Sequence, residues 1–118
     1  MASKRNPADL LMHIKQEIDW AIPYYQGMDL EYFISNMNCI RAAEHAMLII
    51  SEAVKNMPAD ILALHPEIDW RAIRGSGNFL RHEYDVIDRE LIWVTVTKRF
   101  LDLRPVIESL INKLSANL

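Results

Sequence analysis

At 118 residues the chain suits one domain, residues 1–118, long enough to bury about two thirds of its unfolded surface in a single core. Its 13 Lys+Arg against 16 Asp+Glu leave a net charge of −3, which argues against a scaffold that holds nucleic acid through many phosphate contacts but leaves room for a small local basic site. The single cysteine, Cys39, excludes an intramolecular disulfide and reads as core packing in a reducing, cytoplasmic compartment.

The amino terminus, Met1 to Pro7, leads into a charged amphipathic segment, so neither a signal peptide nor a membrane span is expected. Asn6 followed by Pro7, with Asp9 in the first turn, marks a helix start: Asn caps free amides, Pro fits the first position and an acid suits the dipole. Leu11, Ile14, Ile18 and Ala21 or Ile22 then recur at helical spacing, and the helix should end between Pro23 and Gly27. Tyr24 and Tyr25 read as a packing pair at that helix end or at an interface. Asp29 is the next cap, and Phe33, Met37, Ile40, Ala43, Met47, Ile50, Val54 and Met57 hold one stripe up to Pro58. The expectation is one long helix, Asp29 to Met57, extending roughly 43 Å.

Pro58 to Pro66 reads as a short helical connector. Asp69 caps another helical piece in which Trp70 and Ile73 are anchors. Asp88 caps a last long helix carrying Trp93, Val96, Phe100, Leu103, Ile107, Leu110 and Leu114, with a kink expected at Pro105. No stretch alternates at a period of two, so the fold class is all-α: an antiparallel four-helix-type bundle with a short extra helix. The 51% hydrophobic content exceeds what so small a bundle buries, which predicts a homodimer or a tight heteromeric partner.

Between the last two helical pieces lies Gly75-Ser76-Gly77-Asn78-Phe79-Leu80-Arg81-His82-Glu83-Tyr84-Asp85, which gathers flexible glycines, a cation, an imidazole, a carboxylate and a phenol. As a helix it would place Asn78 and His82 on one face; as a turn it would be a helix-to-helix corner with a structural histidine. Glu52 stands on the second helix among apolar neighbours, either orienting His82 or Arg81 or acting as a partly buried acid paired with a nearby cation. His13, His45, His65 and His82 are too scattered for a zinc site, no metal or cofactor is expected, and His45 and His65 receive no role. Trp70 and Trp93 read as core rather than as stacking platforms.

Leu10-Leu11-x-x-Ile14, Phe33, Arg41-Ala42-Ala43-Glu44, Ile50-Ser51-Glu52-Ala53, Pro66-Glu67-Ile68-Asp69-Trp70, Gly75-x-Gly77-Asn78-x-x-x-His82-Glu83-Tyr84 and Trp93 form an ordered set covering nearly the whole chain. That set resembles the HepT-like branch of the HEPN superfamily, toxins paired with an MNT-type minimal nucleotidyltransferase antitoxin. The resemblance implies a helical homodimer whose central motifs face each other across a cleft. It also implies metal-independent cleavage of RNA by an Arg–His pair, and silencing by transfer of AMP to a tyrosine two residues after the histidine, here Tyr84. An imidazole can exchange protons with ribose and leaving oxygens while a guanidinium steadies the phosphate.

The chain departs from the family pattern in two places. Ser51 stands where the family commonly has Gly, and Gly77 stands where it has the catalytic Arg. Asn78, His82 and Tyr84 match. Arg81, adjacent to His82, and Arg74, eight residues before it, are the substitute cations. The alternative is a catalytically impaired helical module that binds the nucleotidyltransferase.

Overall fold

The computed structural model describes residues 6–82 and 88–116, excluding the side chains at 78, 79, 81 and 82. The described residues form helices and no strand, in agreement with the all-α expectation. The elements are α1 (Pro7–Gln26), α2 (Leu30–Ile34), α3 (Met37–Lys55), α4 (Ala59–Leu62), α5 (Trp70–His82), α6 (Arg89–Val94), a π turn (Thr95–Arg99) and α7 (Phe100–Ala116).

The caps explain where the helices begin. The Asn6 side chain accepts from the Ala8 amide at 2.8 Å, with Pro7 in the position that needs no donor. Asp29, Asp69 and Asp88 cap α2, α5 and α6 in the same way, accepting from the amides of Tyr32 at 2.8 Å, Ala72 at 3.0 Å and Glu90 at 2.9 Å. Helix α1 runs through Pro23 and stops at Gln26, inside the expected window.

Two expectations are corrected. The segment from Asp29 to Met57 is not one helix but α2 and α3, parted at Ser35 and Asn36. The Ser35 hydroxyl donates to the Glu31 carbonyl at 2.8 Å, and the Asn36 side chain caps α3 by accepting from the Asn38 amide at 3.1 Å. Short polar side chains here compete with the helix ladder and win, while the apolar stripe carries across the break because Phe33 and Ile40 are both buried. The last helix is also not regular from Asp88 onward: the π turn intervenes, and the Thr95 and Thr97 hydroxyls donate to the carbonyls of Leu91 at 2.9 Å and Trp93 at 2.6 Å.

Helix α1 packs against both α3 and α7, and Leu10, Leu11, Ile14 and Ile18 of α1 share one buried cluster with Ile40, Ala43, Ala46 and Ile50 of α3 and Phe100, Leu103, Ile107 and Leu110 of α7. Each leucine or isoleucine among them contributes about 1.5–3 kcal/mol when fully buried. Helix α5 packs on the other side of α3 and has no comparable contact with α7, which leaves a groove between them. An aromatic cluster closes the far end of α1. Tyr25 is buried edge-on to Phe33, with centroids 5.6 Å apart, and Phe33 packs against Trp93 at 5.2 Å. Tyr25 therefore packs a helix end, while Tyr24 beside it is exposed, and Trp93 packs against the core.

The Tyr25 hydroxyl donates to the Cys39 carbonyl at 2.7 Å, tying α1 to the start of α3, and burial pushes the phenol's pKa up. Tyr25→Phe should lower stability by about 1–2 kcal/mol in urea unfolding, because the carbonyl loses its buried partner.

Candidate functional site

Helix α5 carries the residues singled out by the sequence. It begins at the Asp69 cap, is anchored by the buried ring of Trp70, whose Nε1 donates to the His65 carbonyl at 3.0 Å, and continues to His82. Gly75, Ser76 and Gly77 lie inside it, so the stretch is helix and not a corner, and no described glycine has a positive φ.

Close approach to α3 gives Gly77 its place. Ser51 of α3 is 2% exposed, and its hydroxyl donates to the Arg74 carbonyl at 3.0 Å while accepting from the Gly77 amide at 3.1 Å. Both capacities of one buried hydroxyl are thus used between two helices. Gly77 is itself buried, so position 77, where the resemblance places an arginine, faces α3. Ser76 turns its hydroxyl back to the Ile73 carbonyl at 2.7 Å.

The unbroken helix sets the register of the rest. Positions 71, 74, 78 and 82 recur at intervals of three or four and fall along one side of α5. Arg71 and Arg74 are exposed on that side. Asn78, Arg81 and His82 lie in the last two described turns, His82 being the last described residue of α5; their side chains, and Tyr84 altogether, lie outside the description. Glu52 follows Ser51 but is exposed, in contrast to the partly buried acid considered above, and its Oε2 accepts from Asn56 Nδ2 at 3.3 Å.

A second polar cluster was not foreseen. His65 Nδ1 lies 2.8 Å from Glu67 Oε2, and its Nε2 lies 3.3 Å from Ser109 Oγ of α7. With Glu67 ionised, the ring donates through Nδ1 and accepts from the serine through Nε2. The order serine, imidazole, carboxylate matches an activated nucleophile. Ser109, however, sits in the interior of α7, where neighbouring amides are engaged in the helix ladder and none is left to hold an oxyanion. The cluster instead clasps the connector before α5 onto α7. Nothing in the sequence signals it, since its ends are 44 residues apart.

Elsewhere, burial raises the pKa of Glu17, and His45 and His13 oppose that rise, so both histidines lie within electrostatic reach of this α1 carboxyl. Among the described residues no group of three His, Cys, Asp or Glu side chains is placed to hold a metal ion. No helix among them is long and apolar enough to cross a membrane.

Residues 14–110 match the family model described as Ribonuclease HepT-like. A relative from Caldanaerobacter subterraneus subsp. tengcongensis, whose name describes a candidate RNase, is 31% identical over 109 residues, 92% of this chain and 97% of the relative. One from Thermococcus cleftensis, named as a candidate ribonuclease HepT, is 33% identical over 107 residues, 91% of this chain and 97% of the relative. Another, from Methanocaldococcus jannaschii and named as a candidate RNase, is 30% identical over 111 residues, 94% of this chain and 96% of the relative. No solved structure matches the chain.

Two outcomes test the geometry. A Cβ at Gly75 would meet nothing within 4 Å, so Gly75→Ala should stabilise the protein by about 0.5–1 kcal/mol in urea unfolding. The hydrogen bond from His65 holds the Glu67 carboxyl below its usual range. A carboxyl whose folded pKa is depressed adds stability above its unfolded pKa and loses it as pH falls through the folded one. Wild type should therefore exceed Glu67→Gln in stability at pH 6, and the difference should close in thermal melts taken progressively below the ordinary value of 4.5.

Proposed function

Since the chain belongs to the HepT-like ribonuclease family, with residues 14–110 matched, we propose that it is the toxin component of a toxin–antitoxin pair and an endoribonuclease that cuts RNA without a metal ion. The supporting observation is the continuity of α5, which brings exposed Arg71 and Arg74 onto the same side as positions 78 and 82.

In this reading His82 takes the proton of a ribose 2′-hydroxyl as that oxygen attacks the adjacent phosphorus. The bond from phosphorus to the 5′ oxygen breaks, and a proton is delivered to the departing oxygen. Arg74 or Arg81 steadies the charge gathered on the phosphate, the Asn78 amide hydrogen-bonds a phosphate oxygen, and Arg71 holds a neighbouring phosphate. Glu52 orients one of these cations. Two copies of the chain place their α5 helices across a shared cleft. An MNT-type nucleotidyltransferase antitoxin silences the site by transferring AMP to the Tyr84 phenol, whose modification adds bulk and negative charge two residues after His82 in the chain.

The Ser51–Gly77 contact favours a second reading, that of an impaired module which binds the nucleotidyltransferase without cutting RNA. The positions where the resemblance has Gly and Arg hold Ser and Gly here, and the two meet at 3.1 Å. In this reading the Ser51 hydroxyl occupies space beside position 77 that an arginine there would need. Under this reading the double variant Ser51→Gly/Gly77→Arg gains cleavage that the native chain lacks, whereas Gly77→Arg alone mainly disturbs packing against Ser51.

Purified protein should cut single-stranded RNA in the presence of EDTA, and His82→Ala should lower the rate by about 100-fold or more while keeping its helical circular dichroism. Undiminished cleavage in that variant removes the mechanism. Intact mass after co-expression with a nucleotidyltransferase of this type should show added AMP, lost in Tyr84→Phe.

A further inference from the structure

The groove left where α5 fails to meet α7 has a volume of about 840 Å³. Helix α3 underlies it with Met47 and Ile50; Ile73 and Leu80 line the α5 side, and Leu91 and Phe100 line the side of α6 and α7. Leu91 is 61% exposed. Among the described residues, charge around these apolar walls is one-sided: Glu67, Asp69, Asp88 and Asp102 line the groove, with Arg99 as the described cation. Asp69 and Asp88 are fixed by their capping bonds, so two of the four carboxylates are held in place at helix starts.

An apolar trough between helices, edged by carboxylates, repels a polyanion and suits a segment that is apolar on one face and basic on its flanks. A second copy of this chain docked groove to groove would set one acid-edged patch against another, because a two-fold interface pairs a patch with itself. The geometry points to the groove as a docking site for an amphipathic helix of a different protein, with apolar residues at helical spacing facing Ile73, Leu91 and Phe100 and Lys or Arg side chains facing the acids. The groove's apolar wall is distinct from the ribonuclease positions: by helical register, positions 78 and 82 fall on the other side of α5 from Ile73, Ser76 and Leu80, with Gly75 and Ala72 on the flank between them. Helix α5 thus has an arginine-bearing side for one kind of partner and an acid-edged side for another.

The test uses the full chain and two fluorescein-labelled synthetic peptides roughly four turns long, each with Leu at i, i+3, i+4 and i+7. One carries Lys at its polar positions, the other Glu. Anisotropy titration should show binding of the basic peptide, weakened by added NaCl, and none of the acidic one. Leu91→Glu and Asp102→Lys change exposed residues, so both should keep wild-type circular dichroism. Each should weaken binding by about tenfold or more while leaving RNA cleavage as in wild type. Failure of the basic peptide to bind, equal affinity for both peptides, or indifference to both substitutions overturns the proposal. So does sedimentation in which Leu91→Glu turns a dimer into a monomer, which would give the groove to a second copy. Loss of cleavage in His82→Ala with peptide binding retained separates the two sites.

Discussion

A single buried hydroxyl fixes how α5 sits. Ser51 joins α3 to α5 by donating to one α5 carbonyl and accepting from one α5 amide, which sets the rotation of α5 about its own axis as well as its distance. Glycine inside a helix costs about 1 kcal/mol relative to alanine, and α5 contains two of them. Its helical state therefore depends on packing against α3 more than on local preference. Gly77, buried at the contact, allows the approach; Gly75, exposed with open space around it, does not share that role.

With the rotation fixed, the remaining sides of α5 acquire separate characters. Arg71 and Arg74 stand exposed on the side shared with positions 78 and 82, while the flank toward α6 and α7 is apolar and edged by carboxylates. A chain of net charge −3 is a poor general binder of nucleic acid, but such segregation lets one helix present a local cationic strip. The opening beside α5 exists because α1 spans α3 and α7 while α5 rests on α3. The clasp of His65 on Ser109 ties the connector leading into α5 to α7 at the end near the Asp69 cap.

Much of this was legible from residue chemistry. The caps at Asn6, Asp29, Asp69 and Asp88 form as their side chains dictate, and the stripe from Val96 to Leu110 is buried as its spacing requires. The errors share a cause: side-chain periodicity does not report backbone register. An apolar stripe runs through both the Ser35–Asn36 break and the π turn, so spacing read as continuous helix where hydrogen bonding is interrupted. Whether Gly75 to Gly77 turn or stay helical depends on Ser51, 26 residues from Gly77 in sequence, and no local pattern contains that. The exposure of Glu52 was hidden likewise, since apolar neighbours in sequence are not neighbours on the helix face. In the candidate site, residue types pointed to the end of α5, and the structure adds the shared side on which Arg71 and Arg74 stand.

The lock between α3 and α5 is most directly tested by amide hydrogen exchange along α5. If Ser51 holds a continuous helix, the amides from Arg74 to Leu80 exchange slowly as one unit with those of α3, and Ser51→Ala speeds them together. Rapid exchange at Gly75 to Gly77 in the wild-type protein, with α3 still protected, would show a flexible corner in place of the locked helix and would remove the register on which both faces of α5 depend.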